Sequence, residues 1–168
     1  MLILLVGPNG GGKSHVGRLL ESRLGVRFFH VEPHWMAYHA ACADAGRPVS
    51  ITEGVAHIHP LIEEALEGGG HVCVETTGAS AEILDGLLSL GRRFGLLLVR
   101  VEAPLPVCLR RVAARDRADQ IPMGEAGIRE VYARSASVEL PYDVVLDNAA
   151  LADEEILRPF REAGVGEA

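Results

Sequence analysis

The densest chemistry in the chain lies at Gly7-Pro8-Asn9-Gly10-Gly11-Gly12-Lys13-Ser14, which fits G-x-x-x-x-G-K-[ST]. Glycines let a backbone close tightly around an anion, because no Cβ obstructs positive φ. Successive N–H groups then point inward as an anion nest. A helix starting at the end of the loop adds its N-terminal dipole. This spacing predicts a cradle for a nucleoside triphosphate, running from Gly7 to the neighbouring His15. Lys13 is expected to reach the β and γ phosphates, and the Ser14 hydroxyl to ligate Mg²⁺. Lys13 is also the only lysine in the chain, against fifteen arginines. Lysine is otherwise avoided here, yet one stands where a compact phosphate-binding charge is required.

Two apolar runs end in an acid, His71-Val72-Cys73-Val74-Glu75 and Val144-Val145-Leu146-Asp147. Either acid could serve the metal side of such a cradle. Thr76-Thr77-Gly78 follows Glu75, which puts Thr77 and Gly78 on the ligand-binding rim at the carboxyl ends of parallel strands. A third carboxylate stands in His30-Val31-Glu32-Pro33-His34-Trp35. Glu32 suits a base receiving a hydroxyl proton, or else caps the next helix. His34 and His30 are candidate acceptor contacts. Trp35 reads equally as a pocket wall or a core anchor. No third ligand with motif spacing makes the two histidines a zinc site. Arg110, Arg111, Arg115 and Arg117 cluster ahead of a polar segment. Arg115 and Arg117, nearest that segment, are the candidates to stabilise transferred charge.

These groups need a scaffold, and hydrophobic periodicity supplies one. Strands are expected at Leu2–Val6, 26–31, 71–75, 94–101 and 144–146. Helices are expected at Lys13–Leu24, 34–45, 52–67, 79–90, 104–115, 125–138 and 153–161. Residues 116–124 read as a loop and 164–168 as a frayed tail. Alternation of strand and helix throughout implies a parallel sheet covered on both faces, in one domain spanning 1–168.

Composition agrees. Hydrophobic residues are 48% of the chain and aromatics 5%, which calls for an aliphatic core. A net charge of −7 disfavours nucleic acid and anionic lipid as partners. The three cysteines lack CxxC spacing and are expected as buried free thiols. No basic leader precedes the first strand, and no apolar run approaches the roughly 20 residues of a membrane span. The expectation is a cytoplasmic protein, monomeric or homodimeric.

The loop continuing into Val16-Gly17-Arg18-Leu19-Leu20 and Leu24-Gly25-Val26-Arg27-Phe28-Phe29 before an acid resembles the nucleoside-monophosphate-kinase superfamily, especially its shikimate- and gluconate-kinase-like branch. Cys108-Leu109-Arg110-Arg111-Val112 with Arg115-Asp116-Arg117, and Tyr142-Asp143-Val144-Val145-Leu146-Asp147-Asn148, extend the resemblance over most of the chain. It implies an α/β P-loop NTPase three-layer sandwich, with a five-stranded parallel sheet in the order 2-3-1-4-5 and a short lid at 116–124. It also implies adenine binding near the lid arginines and Asp147-Asn148, with Arg111 and Asn148 as candidate nucleotide contacts. In that order the third strand neighbours the first, which favours Glu75 over Asp147 as the acid on the magnesium side.

The chain departs from the family where the acceptor is bound. Glu32 stands where the family has Asp, and Glu75-Thr76-Thr77-Gly78 replaces a glycine-rich acceptor turn. No arginine occurs between Arg47 and Arg92, a stretch where relatives grip anionic acceptors. The reading is transfer of the γ-phosphate of Mg–ATP to a hydroxyl of a small, neutral or cationic acceptor. The alternative is an ATPase or nucleotide-dependent switch acting on a protein partner.

Overall fold

A computed structural model describes residues 1–115 and 123–166. The sheet begins with β1 (Leu2–Val6), whose five residues are all buried, as a central parallel strand requires. The glycine loop leads into α1 (Lys13–Leu24), closed by Gly25 in the left-handed conformation at φ 66°. Next come β2 (Arg27–Phe29), α2 (Val31–Asp44), α3 (Ile51–Glu67) and β3 (Val72–Thr76). The chain continues through α4 (Ala81–Phe94), β4 (Leu96–Glu102), α5 (Leu105–Ala113), α6 (Glu125–Ala136), β5 (Val144–Asp147) and α7 (Asp153–Glu162). Ser50 and Ser80 cap α3 and α4, accepting from the Glu53 and Ile83 N–H groups.

All strand pairs are parallel, and the order is β2-β3-β1-β4-β5. Leu2 registers with Val72 on one side of β1 and with Leu96 on the other. The period-two alternation of β1 divides its side chains between two apolar layers. Ile3 and Leu5 pack with Val16 and Leu20 of α1 and with Ile156, Leu157 and Phe160 of α7. Leu2, Leu4 and Val6 pack with Ile58 and Ile62 of α3 and with Leu84 and Leu87 of α4. The three cysteines are free and buried. Among the described residues no helix is long and apolar enough to cross a membrane.

Two expectations change. The second strand is only three residues long, and α2 starts at Val31. Glu32 therefore sits in the first helical turn, where the dipole favours an acid and where Pro33 is tolerated. The tail is anchored up to Gly166. Val165 is 1% exposed, its N–H donates to the Phe160 carbonyl at 2.9 Å, and it packs into the α1/α7 layer.

Candidate active site

The glycine loop sits at the carboxyl end of β1, between β3 and β4. Gly10 and Gly12 take φ of 77° and 96°, in the region where side chains are strained. Space forbids side chains as well. A Cβ on Gly7 would meet the Val101 carbonyl oxygen at 1.9 Å, and one on Gly12 would meet Asn148 Nδ2 at 2.0 Å. Lys13 Nζ folds onto its own loop, donating to the carbonyls of Gly7 at 2.8 Å and Pro8 at 2.9 Å. Burial pushes the Lys13 ammonium below its ordinary value, against the opposing pull of Glu75. A buried ammonium bonded only to carbonyls lacks a full counter-charge, which a phosphate would supply.

Arg111 and Asn148, both expected at the nucleotide, contact the glycine loop in this structure. Asn148 is buried and donates from Nδ2 to the Gly11 carbonyl at 3.1 Å. Arg111 donates to the Gly10 carbonyl at 3.3 Å and to the Asn148 carbonyl at 2.9 Å. The guanidinium thus ties α5 and the end of β5 to the glycine loop, while also facing the cleft. Sequence reasoning missed this brace, because Arg111 and Asn148 lie 101 and 137 residues from the loop positions that they contact.

Ser14 Oγ donates to Glu75 Oε2 at 2.8 Å and lies 3.2 Å from Oε1. Glu75 is 7% exposed at the end of β3. Burial opposes its ionisation, but His30, Lys13 and Ser14 outweigh that and hold the carboxyl below its ordinary value. His30 Nε2 is 3.3 Å from Glu75 Oε1 and 3.9 Å from Glu32 Oε2. Neither contact meets the geometry of a hydrogen bond. Glu32 is paired across the cleft with Arg115, Nη2 to Oε2 at 3.2 Å. Ser14 and Glu75 present adjacent hard oxygens, suited to a divalent cation or its waters. Among the described residues no cluster of three His, Cys, Asp or Glu side chains forms a metal cage.

These groups share one cleft of about 440 Å³. Asn9, Gly10, Gly12, Lys13, Ser14 and His15 line it from the loop and α1. Val31, Glu32, Trp35 and His39 face it from α2, at helical i, i+4, i+8 spacing. Ile58, His59 and Ile62 come from α3, and Ile83 and Leu87 from α4. Arg111, Val112 and Arg115 close the opposite side. Thr77 lines the cleft. Gly78 is not among the lining residues. It is a buried spacer at φ 73°, where a Cβ would touch Val6 and Val138.

His34 points elsewhere, stacked on Phe29 with ring centroids 4.9 Å apart. His15 is exposed on the rim, 3.3 Å from Asp153. Asp147 is exposed on the edge strand. Arg117 and positions 116–122 of the expected lid lie outside the described residues. Trp35 resolves as a cleft wall. The apolar wall residues were missed as site residues, although the i, i+4 pairs Ile58/Ile62 and Ile83/Leu87 fell within expected helices; Val31 pairs with Trp35 only because α2 starts at Val31.

Comparison with known proteins matches residues 2–141 to the family described as AAA domain. A shikimate kinase of Salinispora arenicola is 33% identical over 124 residues, covering 65% of this chain and 64% of that protein. The match thus spans less than two thirds of the length of that relative. Among solved structures, a sugar kinase from Janibacter sp. superposes with a TM-score of 0.70 at 14% identity, covering 98% of this chain and 94% of the other. A gluconokinase from Sinorhizobium meliloti does so at 0.60 and 21% identity, covering 98% and 93%. Those likenesses carry the fold. With the glycine loop and the strand order, they lead to one conclusion: the chain belongs to the AAA domain family and has the P-loop fold of small kinases of the shikimate- and gluconate-kinase-like type.

Proposed function

We propose that the protein transfers the γ-phosphoryl group of Mg–ATP to a hydroxyl of a small, neutral or cationic acceptor. The observation that carries this reading is that the phosphate cradle and the carboxylate of Glu32 open into the same cleft. In the reaction the acceptor oxygen forms the new bond to Pγ, the bond from Pγ to the bridging oxygen breaks, and ADP leaves. Glu32 takes the acceptor proton. Lys13 exchanges its loop carbonyls for the β and γ phosphate oxygens. Magnesium, held at Ser14 and Glu75, would neutralise charge on the phosphates. Arg115, released from Glu32, stabilises the charge spread over the transferred group, together with Arg117. His15, Asn9 and the loop amides complete the phosphate side, and Thr77 stands on the acceptor side.

The charge of the acceptor follows from what faces it. Between Pro33 and Gly70 the only lysine or arginine is Arg47. Its guanidinium is exposed and already paired with Glu53. A carboxylate or phosphate buried against α2 and α3 would find no fixed cation on those helices, since the cleft's arginines, Arg18, Arg111 and Arg115, come from other parts of the chain, and an unpaired buried charge costs several kcal/mol. The experiment is a screen for ATP-dependent phosphorylation of sugars, nucleosides, polyols and amino alcohols alongside shikimate and nucleoside monophosphates. Phosphate should move to a member of the first group and to none of the anions. Efficient transfer to AMP or shikimate overturns the assignment.

A further inference from the structure

The half of the cleft away from the phosphates has apolar walls, although the proposed acceptor must carry a hydroxyl. Its walls are Val31 and Trp35 of α2, Ile58 and Ile62 of α3, and Ile83 and Leu87 of α4. Ile58, Ile62 and Leu87 are at most 2% exposed, so they form a floor continuous with the core beneath the sheet. The polar groups that line the cleft outside the glycine loop include Arg18, Glu32, His39, His59, Thr77 and Arg115. Burial holds the His59 imidazole below its ordinary value, so at neutral pH it brings no charge to this wall.

Two glycines give these walls their shape. A Cβ on Gly54 of α3 would lie 2.1 Å from Trp35 Cζ3, and one on Gly86 of α4 would lie 2.0 Å from His59 Cε1. Each ring therefore rests directly on the backbone of the next helix. Neither glycine is in a turn or at positive φ; both are inside helices, where glycine weakens the helix. What they provide is room for an aromatic ring beside the cleft.

A polyhydroxylated acceptor in this chamber would strip hydroxyls of water against surfaces that offer few partners. A hydrocarbon ring or chain would instead bury apolar area on both sides.

We infer that the acceptor is an amphipathic alcohol whose hydroxyl meets Glu32 while its apolar body lies between α2, α3 and α4 against Trp35, Ile62 and Ile83. The inference rests on the phosphotransfer reading and names the acceptor's chemical class.

Trp35 is the only tryptophan, so its fluorescence reports on this chamber without any turnover. The test uses the full chain with Mg–ATP and a series of 1,2-alkanediols from propanediol to octanediol, with glucose and gluconate as polar comparators. Trp35 emission and phosphoryl transfer are followed in parallel. The expected result is that affinity read by Trp35, and kcat/KM for transfer, rise up to about fourfold per added methylene until the chamber is full. Gly54→Ala should flatten that dependence while ATP affinity stays unchanged, since the displaced ring is on the acceptor side and alanine favours the helix. Ile83→Asn should flatten it as well, which covers the case in which the alanine variant folds poorly.

A response to propanediol equal to that for octanediol, or tighter binding of glucose or gluconate, overturns the inference and leaves the transfer reading standing. Chain-length-dependent binding with no phosphate moved to any alcohol overturns the transfer reading, and with it the acceptor assignment.

Discussion

Arg115 Nη2 lies 3.2 Å from Glu32 Oε2, so the arginine beside the expected lid holds the carboxylate proposed as base. The two side chains are 33% and 22% exposed, and the pair spans 83 residues of sequence. In the proposed reaction the substrates separate the two. Glu32→Gln should lower turnover by about 10²–10⁴-fold, the usual contribution of a positioned base, with ATP affinity nearly unchanged. Steady-state rates beside calorimetric ATP titration check this. Turnover close to that of the parent protein would remove Glu32 from the mechanism.

Lys13→Ala should abolish productive ATP binding. Lys13 is 8% exposed, deeper than a loop-to-helix junction suggests, and its partners are backbone carbonyls. The fold should survive, because the side chain belongs to neither apolar layer. Calorimetry showing the parent affinity in a folded variant would move the nucleotide elsewhere.

Gly12→Ala should fail in a way that Asn148→Ala does not rescue. The added Cβ meets Asn148 Nδ2, but φ at this position is also 96°, and the left-handed region costs a side-chain-bearing residue about 1–2 kcal/mol. Asn148→Ala alone removes one hydrogen bond to Gly11 and should weaken ATP binding by roughly fivefold, about 1 kcal/mol. ATP titration of both single variants and the double variant separates the two causes. Full recovery in the double variant would mean that only the clash matters.

Stability should fall as pH drops through and below about 6.5. Burial lowers His59, and burial with the N-terminal charge lowers His71, from an ordinary value of 6.5. Below that value the unfolded chain binds these protons and the folded chain resists them, so protonation favours unfolding. Glu75, also lowered, has the same sign at more acid pH, because its ionised form is the one stabilised by folding. Thermal melts from pH 8 to pH 5 should show a declining Tm, and His59→Gln should make the decline shallower. A Tm that rises on acidification contradicts the assignment.

Local chemistry was fully legible in the chain. The loop at residues 7–14, the β1–α1 context and the strand–helix alternation are set by neighbouring residues and by hydrophobic period, and the strand order β2-β3-β1-β4-β5 followed from resemblance. Element ends were less legible. Val26–Val31 is β-rich enough to read as one strand, yet the helix begins at Val31 because Glu32 and Pro33 suit a first turn.

Partnership was settled only by the tertiary structure. That Asn148 and Arg111 brace the loop shows only in the structure, because β5 and α5 end beside Gly10 and Gly11. His34 and Trp35 are adjacent in sequence, yet α2 turns one onto Phe29 and the other into the cleft. The apolar chamber combines faces of three helices, each reading as ordinary core on its own. Residue type and spacing carry the chemistry that neighbouring residues perform together. Contacts across 60–140 residues depend on how helices pack on the sheet, and no local pattern encodes that.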